Sequence, residues 1–338
     1  MQRAVFAGCL AVMMLLIFSA LVLPPAAHGE SPAPQAEPAA TPAEPEPAPA
    51  PETPSYDERE TVRLLDGEET LSLSLAEYLE GVVLGEMPAS FPAAAREAQA
   101  VAARTFTLRR RQSPKHEDAD VCTDSSCCQQ YLSPAAARER LGEAYEEAAA
   151  GARAAVAATD GLVAVYEGRL IDAVYFSNSG GRTEAAVAVW GSDVPYLQSV
   201  ESPGEGGGAA GRDTVAVALE AFRAAILQAR PEADLSGDPA DWFGAVTYTA
   251  GGGVDTMEIG GVAFGGTELR SLFSLRSARF TVSVEGETVQ FVTQGYGHRV
   301  GLSQYGAKAM AENGADFRGI LLHYYTGISV VPAGQIGN

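Results

Sequence analysis

From Ala4 to Leu23 the chain is uncharged and almost wholly apolar, a run of roughly 20 residues, long enough to span a bilayer. Met1, Gln2 and Arg3 put a positive end before it, and Ala27-His28-Gly29 offers the small residues of a cleavage site. A retained anchor and a cleaved signal over residues 1–29 both remain open, and both send the rest of the chain out of the cytoplasm. Cys9, inside the run, reads as membrane packing. From Glu30 to about Tyr56 the chain is almost entirely Pro, Ala, Glu, Thr and Ser. Nothing there is large and apolar enough to offset its own ordering entropy, so residues 30–57 read as a proline-extended tether. The folded part is expected over residues 58–331.

Within it, Thr61 to Leu65 and Thr70 to Leu73 read as a strand pair around Asp66-Gly67. Ser74 with Glu77 three residues on is a capping-box signature, and Leu75, Tyr78, Leu79, Val82 and Val83 follow at helical spacing. Pro92 suits a first helical turn, and Ala94, Ala98, Val101, Thr105 and Leu108 mark one face of a second helix. Gln112 to Gln130 is polar and irregular, and Pro134 to Ala158 predicts one exposed, Ala- and Glu-rich helix. Leu162 to Tyr166 and Leu170 to Phe176 predict a second hairpin, leaving by the polar loop Ser177-Asn178-Ser179-Gly180-Gly181. A helix is expected over Val215 to Ala229, a hairpin over Phe280 to Val292, and an apolar helix near Ile320 to Tyr325. Helices interleaved with hairpins point to an α+β fold, expected as a two-lobed single domain with a central cleft.

The net charge of −20 argues against nucleic acid and anionic membrane surfaces as partners, which require clustered Lys and Arg. No phosphate-binding glycine loop and no Gly-x-Ser-x-Gly elbow is present, and Ser303 follows His298 too closely for a usual triad.

Three local patterns could carry chemistry. Glu86 falls on the apolar stripe of the first helix just before Met87-Pro88 ends it. A desolvated carboxylate there would hold its proton, as a general acid must; the plain alternative is a solvated helix-end Glu. Arg104 shares the interior stripe of the second helix and could face the same interior or simply neutralise an acidic side chain. His116, Cys122 and Cys128 lie evenly spaced in one loop, a set suited to a tetrahedral Zn²⁺ with an open position. Outside the cell a disulfide is the competing reading, one that would strand a thiol because Cys127 makes the count odd.

The blocks Tyr78-Leu79-Glu80-Gly81-Val82-Val83 to Glu86-Met87-Pro88, Glu97 to Thr105, Cys128-Gln129 with Tyr131, Tyr175 to Gly181 with Thr183-Glu184, Val189-Trp190-Gly191, Pro195-Tyr196-Leu197, and Gly295 to Gly306 succeed one another in order. Together they resemble the stage II sporulation protein D family of peptidoglycan transglycosylases. The resemblance implies that Glu86 is the catalytic acid of a lytic transglycosylase that leaves 1,6-anhydro sugar ends. It also implies that His116, Cys122 and Cys128 match the zinc site of some members. Arg104, Tyr175, Ser177, Ser179, His298, Gln304 and Tyr305 are the expected sugar-holding side chains, since hydroxyls, amides and aromatic faces suit that task. Expected partners are peptide-stripped glycan strands and a cell-wall amidase, in sporulation. Two rival readings are a glycan-binding enhancer of such an amidase and a zinc amidase acting on the peptide stem. In the glycine-histidine loop, Arg299 stands where the family typically has glycine and Leu302 where methionine is common.

Overall fold

The computed structural model describes residues 54–205 and 211–336. The apolar N-terminal run, Cys9 and most of the tether lie outside the described residues. Among the described residues, no helix is long and apolar enough to cross a membrane. The fold is α+β, as the interleaved pattern predicts.

Helix α1 (Tyr56–Arg59) is capped by Ser55 and buries Asp57. Strands β1 (Thr61–Asp66) and β2 (Glu69–Ser74) pair antiparallel through the turn at Gly67. Ser74 and Glu77 form the expected capping box on α2 (Leu75–Glu86), which ends at Met87 before Pro88. Helix α3 (Ala93–Gln112) comes next with Pro92 as its N-cap. The cysteine loop carries β3 (Val121–Cys122), paired parallel to β1.

The single helix expected over Pro134 to Ala158 is two. Gly142 at φ +55° closes α4 (Pro134–Leu141), and after one 3-10 turn α5 (Tyr145–Ala158) begins. Nor is α5 an exposed helix, because Ala148, Ala149, Ala152, Ala155 and Val156 are buried. Small side chains let α5 pack closely on its neighbours.

The hairpin expected over Leu162 to Phe176 is shorter. Strand β4 (Leu162–Tyr166) pairs with the two-residue β5 (Arg169–Leu170), whereas β6 (Tyr175–Phe176) belongs to another sheet. Helix α6 (Ala186–Trp190) is short. The helix expected from Val215 starts at Leu219: β7 (Arg212–Ala218) alternates between exposed and half-buried positions, and only α7 (Leu219–Ala229) turns helical. A meander of β8 (Phe243–Tyr248), β9 (Val254–Ile259) and β10 (Val262–Gly265) then leads into α8 (Gly266–Leu272). Strands β11 (Phe280–Glu285) and β12 (Thr288–Gln294) form the expected hairpin, and β12 also pairs with β7. Strand β13 (Leu302–Ser303) pairs parallel to β6. After α9 (Gln304–Glu312) and α10 (Phe317–Tyr324), β14 (Ser329–Pro332) pairs antiparallel to β4.

Two large apolar clusters organise the described residues, with a small third around Ala137, Tyr145 and Ala149. One joins α2, α3, α5, β4 and α10 through residues such as Leu79, Val101, Val163, Leu302 and Tyr324. The other lies among β7 to β12 and stacks Phe222 on Trp242 and Phe273, with Phe291 beside them. The glycine-histidine segment runs out of the second cluster at β12 and back into the first at β13.

Candidate active site and metal-ligand cluster

Glu86 ends α2, and three elements distant in sequence reach its carboxylate. The Gln130 backbone N–H donates to Oε1 at 2.9 Å, and the Gln304 amide donates to Oε2 at 3.0 Å. The Tyr175 hydroxyl lies 3.4 Å from Oε1. Tyr175 on β6 and Gln304 at the start of α9 arrive together because β6 and β13 pair in register, Leu302 opposite Tyr175. Ser303 caps α9 by accepting the Gly306 N–H.

The Gln130 contact depends on two glycines of α2. An ideal Cβ on Gly81 would fall 2.2 Å from the Tyr131 ring, and one on Gly85 would fall 2.9 Å from the Gln130 carbonyl oxygen. Their bare faces let the segment after the cysteine loop lie directly on the helix, where Leu132 N–H bonds the Gly81 carbonyl at 3.1 Å. Tyr131 stacks on Tyr78 there, with ring centroids 5.7 Å apart.

Burial pushes the Glu86 carboxyl above its ordinary value, while the Gln130 N–H and the Gln304 amide pull the other way, as the Tyr175 hydroxyl does wherever it donates. Among the described residues, the groups that move it are neutral: no second carboxylate and no cation contributes. Glu86, Met87, Arg96 and Arg140 also line a cavity of about 320 Å³.

Gln129 is buried and joins this cage. Its amide nitrogen reaches Tyr78 Oη at 3.0 Å and Thr107 Oγ1 at 3.1 Å, and its carbonyl oxygen accepts from Tyr175 at 2.8 Å. Gln99, likewise buried, takes a longer bond from Gln304 at 3.4 Å. Neither glutamine is among the site residues expected from sequence. A polar residue wholly inside the fold leaves no mark on hydrophobic periodicity, and only its place beside Cys128 pointed to Gln129.

The other expected residues divide. Tyr305 is half-buried, edge-on to Phe91 at 5.2 Å, and its N–H bonds the Ser177 carbonyl. Ser177 keeps a half-buried side chain. His298 accepts the Val300 N–H at Nδ1 (3.1 Å), and its ring lies between Phe176 and the exposed Trp190. Desolvation, reinforced by Arg270, lowers its pKa to about 4, so the imidazole is neutral and its proton sits on Nε2.

Two expectations need correction. Arg104 has no exposed surface to offer a sugar. Its guanidinium forms an ion pair with buried Asp57 and also reaches Thr159 Oγ1, the Val156 carbonyl and the Leu162 carbonyl. It is the neutralising partner of an acidic side chain. Ser179 is also fully buried, its Oγ accepting the Gly181 N–H at 3.0 Å and its own N–H bonding Glu205. It shapes the loop from within.

Arg299, where the resemblance led to the expectation of glycine, adopts φ +65°, a backbone conformation that glycine takes freely. Its side chain is 1 % exposed, pairs with Glu184 at 2.9 Å and donates to the carbonyls of Ser179, Arg182 and Gly251. Desolvation lowers its pKa to about 10, so it keeps its charge at neutral pH.

In the cysteine loop, His116, Cys122, Cys127 and Cys128 place one ligand atom each within 4.8 Å of one another. His116 Nε2 lies 3.7 Å from Cys127 Sγ and 3.6 Å from Cys128 Sγ, and the two sulfurs are 3.9 Å apart. A tetrahedral zinc requires about 3.5 Å between nitrogen and sulfur and about 3.8 Å between sulfurs. The set fits a metal ion, and Cys127 fills the position that sequence left open. A turn led by Asp124, whose carbonyl accepts the N–H groups of Cys127 and Cys128, presents both thiols. Desolvation pushes Cys128 up to about 12, so metal loading must displace a proton.

A family model described as "Stage II sporulation protein" matches residues 68–166. Stage II sporulation protein D of Bacillus subtilis (strain 168) is 37 % identical over 266 residues, 78 % of this chain and 76 % of that protein. Its namesake in Bacillus amyloliquefaciens is 36 % identical over 266 residues, 78 % of this chain and 75 % of that protein. The "Amidase enhancer" of Bacillus subtilis (strain 168) is 29 % identical over 75 % of this chain and 40 % of its own length.

Proposed function

The chain belongs to the stage II sporulation protein D family, and from that membership and the caged carboxylate we propose that it is a peptidoglycan lytic transglycosylase acting in sporulation. Glu86 protonates the oxygen joining N-acetylmuramic acid to N-acetylglucosamine, and the C1–O bond breaks. The resulting carboxylate takes the proton of the muramyl C6 hydroxyl as that oxygen attacks C1. A 1,6-anhydro end forms, a free hydroxyl is left on the other sugar, and Glu86 has its proton back.

The observation that carries this reading is that the hydrogen-bond partners of Glu86 are all neutral: the Gln130 N–H, the Gln304 amide and the Tyr175 hydroxyl. Ordinary glycosidases need two carboxylates, one as acid and one as nucleophile or base. An internal nucleophile lets one carboxyl do both jobs, provided it rests protonated. Gln304 and Tyr175 hold Glu86, and Ser177 and Tyr305, beside Gln304, with His298 farther along the glycine-histidine segment, are the half-buried groups left to contact sugar.

Zinc is the ion that His116, Cys122, Cys127 and Cys128 would hold. With four protein donors it supplies rigidity to the loop and leaves no open position for an activated water, which weighs against the zinc-amidase reading. The apolar N-terminal run supports a cell-envelope setting.

The name of the amidase-enhancer relative supports a second reading, a glycan holder that stimulates a cell-wall amidase. Mass spectrometry of amidase-stripped peptidoglycan treated with the full-length protein separates the two. Anhydro ends that vanish with Glu86→Gln are expected; glycan binding without anhydro ends would leave only the enhancer role.

A further inference from the structure

The cage around Glu86 contains a chain of groups whose proton directions are fixed one by one. Thr107 Oγ1 donates to the Ala103 carbonyl at 2.8 Å, one helical turn back. Its single proton is thereby committed, so toward Gln129 it can only accept. The Gln129 amide must turn its nitrogen to Thr107 and Tyr78, which leaves its carbonyl oxygen facing Tyr175. Tyr175 then gives its only proton to Gln129 at 2.8 Å. What it turns toward Glu86 Oε1, at 3.4 Å, is a lone pair.

We propose that Gln129 is a positioning residue which, by holding the Tyr175 proton, makes Tyr175 an acceptor toward Glu86 and so selects the protonated acid. This rests on the transglycosylase reading and adds the device that readies Glu86 for its first step. A lone pair attracts the carboxylic O–H and repels the carboxylate. Were the phenol to donate to Glu86 instead, it would favour the charged form that cannot start the reaction.

The other ionisable groups near Glu86 do not decide the matter. Burial keeps Tyr175 and Tyr78 well above the range in which either ionises at neutral pH. Arg96 of α3 and Arg140 of α4 line the same cavity as Glu86 without contributing to its shift.

The two orientations of the phenol predict opposite signs for one substitution. In full-length protein carrying ¹³C-carboxyl glutamate, the Glu86 resonance is identified by its loss in Glu86→Gln and titrated by NMR. Tyr175→Phe removes an acceptor from the acid and a lone pair from the carboxylate, so the midpoint should fall by about one unit, the size of one neutral hydrogen bond to the acid together with the relieved carboxylate. Gln129→Met frees the phenolic proton to turn to Glu86, and the midpoint should again fall. The alkaline limb of the pH–rate profile should move to lower pH with it.

A rise in Tyr175→Phe, or no movement in a folded Gln129→Met, overturns the proposal. Tyr175→Phe carries the sign test alone if Gln129→Met does not fold. The titration needs no turnover, so the two readings fail separately. Falling midpoints in a protein that makes no anhydro ends would leave the proton order standing and remove the transglycosylase reading.

Discussion

Replacing Arg299 with glycine sets two effects of opposite sign against each other. At φ +65° a non-glycine residue costs about 1–2 kcal/mol, and glycine would remove that cost. The same change leaves Glu184, 4 % exposed, without its counter-charge, and strands the carbonyls of Ser179, Arg182 and Gly251. Breaking a buried pair from one side typically costs about 3–5 kcal/mol. The net expectation is a loss of about 1–4 kcal/mol, because the ion pair outweighs the backbone strain. For a domain of this size that lowers Tm by about 2–15 °C, read by urea and thermal unfolding. Adding Glu184→Gln should recover a large part of the loss, since the amide oxygen can still accept from Thr249 Oγ1 and the Gly253 N–H. If Arg299→Gly proves neutral or stabilising, glycine is the better solution at this position and the guanidinium contributes nothing net.

Gly85→Ala tests the packing that delivers Gln130. Alanine should favour the helix by up to about 1 kcal/mol, yet its Cβ would lie 2.9 Å from the Gln130 carbonyl oxygen. Little loss of thermal stability is expected together with a fall in turnover on the order of 100-fold, the typical cost of a misplacement of about 1 Å; wild-type turnover would mean that the Gln130 contact is dispensable. Cys127→Ser tests the fourth ligand. Metal analysis and competition with a chromophoric chelator should show zinc held by the wild-type protein, and an affinity loss in the variant beyond the roughly 10–100-fold typical of outer-shell changes. Unchanged affinity would return the site to three protein ligands.

Periodicity and capping are the parts of this fold that its sequence makes legible. Ser74 and Glu77 announce α2, and the stripe through Leu75, Leu79 and Val82 carries Glu86 inward. Where two signals overlap, the reading fails. Val215 continues the helical stripe of Leu219, Phe222 and Ile226 as well as alternating with Val217 in a strand, and it is pairing with β12, absent from any local window, that makes them a strand. Tyr175 and Phe176 are near enough to β4 to suggest a hairpin, but their partner is Leu302-Ser303, far along the chain. The break at Gly142 is of another kind. A glycine in an Ala- and Glu-rich run is a natural helix stop, and the uniform composition around it hides the break.

The site divides along the same line, with one difference in kind. Glu86, Tyr175 and Gln304 carry chemistry that their residue types advertise, and the structure brings the three together. The groups that orient them do so by shape or by backbone, which residue type does not advertise: a missing Cβ at Gly85, an N–H at Gln130, an amide direction at Gln129. All are tied to one short stretch, because Cys128, Gln129 and Gln130 are consecutive. The first belongs to the metal-ligand cluster, the second fixes the Tyr175 proton, and the third holds the acid. A metal ion bound through Cys128 would therefore act on Glu86 without touching it. It would restrain the backbone on which the acid's hydrogen bonds depend.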